Sequence, residues 1–128
     1  MKSGGDRRSD VRHQRDERVL VKILNSDDDP SLAGTILRCA TQDVSLEGVR
    51  VRLPQPLPVG CELDLWVKMH DRAGPVSATG RVVWVHEQEE PEAGGFRVGI
   101  RVGARSGRER EAWRSAIRAL AGDSAPEG

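Results

Sequence analysis

Three residues that could organise a site lie close together in the stretch TQDVSLEG, at Asp43, Ser45 and Gly48. A carboxylate accepts hydrogen bonds, a hydroxyl both donates and accepts them, and a glycine lets the backbone approach a ligand closely. The same residue types are the commonest residues of ordinary turns. The stretch therefore predicts either a simple turn between two strands or one wall of a binding site, whose second wall must come from elsewhere.

A group of arginines near the start of the chain is the candidate for that second wall. In DRRSDVR, Arg8 and Arg12 have the spacing R-x-x-x-R, and Arg7 comes directly before them. A guanidinium group is planar, pairs with phosphate and stacks on purine faces. Arginines in a polar segment are also common as solvated charges, so the spacing indicates a binding function only in combination with a second motif.

Patterns typical of catalysis or metal binding are not found in the sequence. His13, His70 and His86 have no cysteine or carboxylate at metal-ligand spacing, and there is no nucleophile elbow, phosphate-binding loop or zinc-protease helix. The aspartates at 27–29 lack the glycine and distal glutamate of a calcium loop and are typical of a solvated turn. We therefore predict a protein that is not an enzyme, with no catalytic residue, no metal and no cofactor.

Composition indicates a single domain without a strong charge bias. The 128 residues suffice for one hydrophobic core, and 20 basic residues balance 20 acidic ones. This balance argues against a general binder of nucleic acid or anionic membranes. The sequence has no apolar stretch of about 18 residues and no signal-peptide leader. Cys39 and Cys61 are too few for a disulfide framework, so we expect a cytoplasmic protein without membrane insertion.

The centre of the chain has the alternation of β-strands. From residue 19 to about 103, apolar and polar residues alternate in short runs separated by turn-rich pieces such as SDDDPS and PQPLPVG. Six short strands with one apolar face each close most economically into a small barrel, which leaves no exposed edge. The predicted fold is thus mainly β, a six-stranded antiparallel barrel. Its strands are VLVKIL, AGTILRCATQD, GVRVRL, CELDLWVKM, VSATGRVVWVH and GGFRVGIRVG.

The two ends of the chain depart from this pattern. Residues 1–18 have almost no apolar side chains, which predicts a flexible arginine-rich arm that is disordered on its own. Ser106 and Glu109 form a capping-box pattern, and an apolar stripe at helical spacing follows them, which predicts a helix with Gly122 as its stop. The predicted divisions are the arm at 1–18, the barrel with its helix at 19–121 and a disordered tail at 122–128.

Together, these features resemble the PilZ domain family. The R-x-x-x-R spacing of Arg8 and Arg12 and the D-x-S-x-x-G pattern at 43–48 correspond to the two halves of the family's motif. The following order is also similar, with a proline-rich turn, a GRVVWV strand, a VGIRV strand and a closing helix. The resemblance covers roughly residues 7–121, nearly the whole chain.

The resemblance implies a receptor for cyclic di-GMP, a bacterial second messenger with two guanines and two phosphates. Guanine presents two acceptors to which a guanidinium bonds bidentately, so the arm can close over a ligand that rests on the D-x-S-x-x-G turn. Asp43 suits guanine N–H donors or the holding of an arginine, and Arg15 and Arg18 are alternative residues of the arm. The implied ligand-binding residues are Arg7, Arg8, Arg12, Asp43, Ser45 and Gly48.

The resemblance also bears on the number of ligands bound per chain and on the downstream partner. In similar proteins, an arginine in the position of Arg7 is associated with two mutually intercalated cyclic di-GMP molecules per chain. A receptor domain of this kind acts by presenting a changed surface to a partner protein, which the sequence does not identify. The alternative is a PilZ-like interaction module that does not bind cyclic di-GMP. A barrel for single-stranded nucleic acid is a more distant alternative, because such barrels use many stacking aromatics.

Overall fold

The structure is a computed structural model that describes residues 13–14, 18–69, 74–87 and 95–124. Within these ranges the chain forms seven strands, one short 3-10 helix at Pro30–Leu32 and one α-helix. The strands are β1 His13–Gln14, β2 Arg18–Asn25, β3 Ile36–Val44, β4 Gly48–Leu53, β5 Glu62–Lys68, β6 Val76–Glu87 and β7 Phe96–Gly103, and the helix is α1 Gly107–Ser124.

Strands β2 to β7 form a closed antiparallel barrel. Neighbouring strands follow the order β3-β2-β5-β6-β7-β4, and β4 pairs back with β3 to complete the ring. Each of these strands has a partner on both edges. The end of β3, at Asp43 and Val44, continues past its pairing with β2. The predicted six-stranded antiparallel barrel is confirmed.

The core of the barrel follows the alternation seen in the sequence. Side chains of successive residues point to opposite faces of a strand, so every second residue enters the interior. On β4 the valines and the leucine point inward, while Arg50 and Arg52 point outward. The same alternation places the following residues in the core: Val49, Val51, Leu53, Leu63, Leu65, Val67, Met69, Val98 and Ile100.

The carboxyl-terminal helix packs its apolar stripe on the barrel. Ser106 caps the helix, because its Oγ accepts a hydrogen bond from the Glu109 N–H at 3.1 Å. The Glu109 carboxylate in turn accepts a hydrogen bond from the Ser77 Oγ on β6 at 3.0 Å. These contacts fix the start of the helix against the barrel. The residues of the stripe are buried, as predicted: Trp113, Ala116, Ile117 and Leu120.

The end of α1 differs from the prediction. The helix continues through Gly122 and ends at Ser124, so residues 122–124 belong to the helix and not to a disordered tail. A glycine inside a helix costs only about 1 kcal/mol relative to alanine. That cost does not stop a helix that is already held by its buried stripe, and terminal boundaries vary by a residue or two.

The predicted arm is also not disordered throughout. His13 and Gln14 form β1, which pairs with Val44 and Asp43 of β3, and Arg18 is the first residue of β2. The expectation of disorder rested on the lack of apolar side chains. It missed the backbone N–H and C=O groups at the end of β3, which any extended segment can pair with.

Both cysteines are reduced parts of the barrel wall. Cys61 is buried and Cys39 is half-buried against the core. Burial raises the pKa of the Cys39 thiol to about 12 and also raises the pKa of Cys61. Both thiols therefore stay protonated near neutral pH and behave as small apolar residues. Among the described residues, no helix is long and apolar enough to cross a membrane.

Candidate ligand-binding site

The D-x-S-x-x-G residues form the turn between β3 and β4, here called the motif turn (residues 43–48). The Ser45 N–H donates to the Gly48 carbonyl at 2.8 Å, and the Gly48 N–H donates to the Ser45 Oγ at 3.2 Å. The Ser45 hydroxyl also donates to the Gly48 carbonyl at 3.2 Å. Both residues are buried. Ser45 therefore holds the motif turn together from within.

Gly48 does not have a positive φ, the backbone conformation that most often requires a glycine. Among the described glycines, those with positive φ are Gly34, Gly60 and Gly95. Gly48 instead begins β4 with an ordinary strand pairing to Arg101 of β7. Its contribution is the pair of backbone hydrogen-bonding groups that close the motif turn.

Asp43 holds an arginine that the sequence analysis did not single out. Arg50 lies directly opposite Asp43 across the β3–β4 pair, and its Nε donates to Asp43 Oδ2 at 2.7 Å. The Arg50 Nη2 bonds to the same carboxylate oxygen. The Asp43 side chain is 3% exposed and that of Arg50 is 34% exposed. A buried carboxylate thus orients a guanidinium that reaches solvent, and this hydrogen bond raises the pKa of Arg50.

The indole of Trp84 lies in the same row of paired residues across the outer face of the barrel as Asp43 and Arg50. Arg50 pairs with Gly99 on β7, and Gly99 pairs with Trp84 on β6. A Cβ at Gly99 would lie 2.2 Å from the Trp84 ring, so the ring covers the glycine closely. Trp84 and Arg50 border a cavity of about 150 Å³ together with Arg101. An indole face suits stacking and a guanidinium suits phosphate or guanine edges.

Among the described residues of the arm, His13 and Gln14 pair beside the motif turn. Gln14 pairs with Asp43, and His13 pairs with Val44, the residue before Ser45. Arg18 instead lies opposite Ala40 and Lys68, away from the motif turn. The other four predicted arginines of the arm lie outside the described residues: Arg7, Arg8, Arg12 and Arg15.

The opposite side of the motif turn is bonded to the helix. The Trp113 indole N–H donates to the Leu46 carbonyl at 3.0 Å. The Val102 N–H donates to the Glu47 carbonyl at 2.9 Å. The two central residues of the motif turn are thus held by α1 and β7. Any displacement of this turn has to change its contact with the helix.

The fold and the site together give a β-barrel whose outer surface combines an oriented arginine with an aromatic ring beside the motif turn. The chain belongs to the PilZ domain family, and residues 6–119 match the family. This is a family of cyclic di-GMP receptors, and its members act as binding and adaptor modules that interact with partners. The predicted family membership is confirmed.

Several solved structures share the fold. The PilZ domain of YcgR from Escherichia coli with c-di-GMP is 17% identical, with a TM-score of 0.64, and the match covers 92% of this chain and 94% of that one. MrkH of K. pneumonia, solved as a complex with c-di-GMP, is 12% identical, with a TM-score of 0.68, covering 91% and 53%. The Bacillus subtilis inhibitor of motility MotI is 14% identical, with a TM-score of 0.64, covering 93% and 53%.

Because the sequence identities are low, these structural similarities show a shared fold and nothing further. The chain spans about half the length of MotI and of MrkH, and nearly all of the isolated YcgR domain. No curated protein sequence matches the chain.

Proposed function

We propose that this chain is a cyclic di-GMP receptor that regulates a partner protein by changing its surface when the ligand binds. The observation that carries the proposal is the pairing of β1 with β3 at Asp43, because the residues of β1 are directly bonded to the arginine-containing segment of the sequence. Family membership and the c-di-GMP named with the YcgR and MrkH structures support the choice of ligand.

Covalent geometry gives the arm the required reach. Arg12 is bonded to His13, so its Cα is about 3.8 Å from that of His13, which pairs beside Ser45. Arg8 is four residues earlier, a distance of up to about 14 Å in an extended chain. The two arginines can therefore contact opposite sides of one ligand placed against the motif turn.

The proposed site combines two sets of groups. Arg7, Arg8 and Arg12 close over the ligand from the arm and pair with phosphates and guanine edges. Asp43, Ser45 and Gly48 form the surface below it. The internal bonds of these three residues favour a shaping role, in which Asp43 presents Arg50 to the ligand.

Trp84 extends this surface. Trp84 belongs to the row of paired residues that also contains Asp43 and Arg50. Stacking of a base on an aromatic ring contributes about 1–3 kcal/mol. The site then offers a guanidinium for charge and an indole for the guanine face. Both were missed from sequence because their proximity depends on how the barrel closes.

Calorimetric titration with cyclic di-GMP, with GTP and GMP as controls, tests the function and its stoichiometry. We expect cyclic di-GMP alone to bind, with two molecules per chain, because Arg7 supplies an extra cation for the four phosphates of a stacked pair. Arg7→Leu should reduce the number of bound ligands toward one. A one-to-one complex in the unaltered chain would contradict the role of Arg7, and no binding would favour the ligand-independent interaction module.

A further inference from the structure

A second surface lies on the outer face of β2, β3 and β5, away from the motif turn. These strands are adjacent, and residues that pair directly across them point to the same face. One row across the sheet is Arg38, Leu20 and Trp66. Its neighbouring rows are Ala40, Arg18 and Lys68 on one side and Ile36, Lys22 and Asp64 on the other.

The middle of this face is apolar. Leu20 and Trp66 are half-buried, and Ile36 is 54% exposed. Together with Pro75 and the neighbouring strand residues they border an open groove of about 880 Å³. Contiguous exposed apolar surface with a polar rim is typical of an interaction site.

The rim of the same groove is cationic. Arg18, Lys22, Arg38 and Lys68 surround the apolar residues. Asp64, the acid of the third row, is held by Arg105 from beyond β7 in an ion pair, so its charge is already compensated. The whole chain has a net charge of zero, whereas this face has four basic residues and one acidic residue that is already paired.

We propose that this surface, the basic groove, binds an acidic amphipathic segment of a partner protein. An apolar side chain of the segment would pack on Leu20 and Trp66, and flanking carboxylates would pair with the four cations. Charge complementarity selects the occupant, because a purely apolar partner would leave the cationic rim without counter-charges. The zero net charge of the chain argues against an anionic membrane as the occupant.

The dimensions of the groove agree with a short segment. Three strands spaced by about 4.8 Å and five residues rising about 3.3 Å each give a face of roughly 10 by 13 Å. A helical segment of about ten residues is about 15 Å long and spans it. The groove begins at Arg18, four residues after Gln14 of β1, so the partner would bind next to the arm that carries the ligand-binding arginines.

Fluorescence anisotropy with a labelled peptide tests the basic groove. The probe is an acidic peptide of about ten residues with glutamates around a central Leu-Phe pair. We expect saturable binding that Arg38→Glu weakens at least tenfold. Arg108→Glu, the same charge change at an exposed position on α1, should have little effect. A peptide with serines in place of Leu and Phe should bind at least tenfold more weakly.

Several outcomes would overturn the assignment. These are absence of saturable binding, equal losses in Arg38→Glu and Arg108→Glu, and equal binding of the serine peptide. Self-association that Arg38→Glu abolishes would identify a second copy as the occupant instead, and preferential binding to phosphatidylserine vesicles would identify a membrane. Binding of cyclic di-GMP should persist in Arg38→Glu, so failure here is distinguishable from failure of the proposed ligand site.

Discussion

Arg12→Ala is expected to weaken cyclic di-GMP binding by roughly ten- to a hundredfold or more, because charge-assisted hydrogen bonds contribute about 1.5–3 kcal/mol each. The residue is bonded to His13, whose pairing with Val44 brings the arm to the motif turn. Arg12 precedes the strands that supply the buried core, so we expect the melting temperature of the free protein to change little. Calorimetry and thermal unfolding of the same variant measure the two effects.

Arg15→Ala is the matched control for Arg12→Ala. It changes the same residue type in the same arm, three positions later, and should affect binding much less. A large effect of Arg15→Ala with a small effect of Arg12→Ala would mean that Arg15, and not Arg12, contacts the ligand. Unaltered binding in both Arg8→Ala and Arg12→Ala would show that the arm does not form the site.

Trp113→Ala is expected to cause the largest loss of stability, about 3–5 kcal/mol in the free energy of unfolding, as for other buried aromatic residues. Trp113 is 3% exposed in the hydrophobic core, where α1 packs on the barrel, and its indole N–H binds the Leu46 carbonyl. Urea denaturation of the variant measures the loss.

Two further variants separate packing from hydrogen bonding. Trp113→Phe keeps much of the apolar surface and removes the donor to Leu46, so it should destabilise less than Trp113→Ala. Arg118→Ala, at an exposed position on the same helix, should change the free energy of unfolding by about 0.5 kcal/mol or less. A loss below about 1 kcal/mol in Trp113→Ala would contradict the packing of α1 against the barrel and the motif turn.

The strands and the helix stripe were predictable because each has a strong local pattern. Val49, Val51 and Leu53 alternate with outward arginines, and burial of one face fixes such a strand's orientation. The stripe of α1 likewise repeats at helical spacing. The two-residue strand β1 has no such pattern, because its pairing uses backbone groups and its side chains are polar.

The candidate site was only partly predictable for a related reason. Asp43, Ser45 and Gly48 are close in sequence and therefore recognisable together. Arg50 and Trp84 become neighbours only through the β4–β7 and β6–β7 pairings, which have no signal in the spacing of residues. The D-x-S-x-x-G residues form a turn stabilised by Ser45 and Gly48, and we propose that the same turn is one wall of the ligand site.

Hydrogen exchange with and without cyclic di-GMP tests most directly whether the arm closes on the motif turn. Ligand should increase protection at residues 7–18 and 43–48, because binding orders the arginines against the site, a transition common in signalling proteins. Protection in β5 and in α1 should change little, because we expect the ligand to order the arm without moving the barrel. An arm fully protected without ligand, or an arm still unprotected in the complex, would contradict the account.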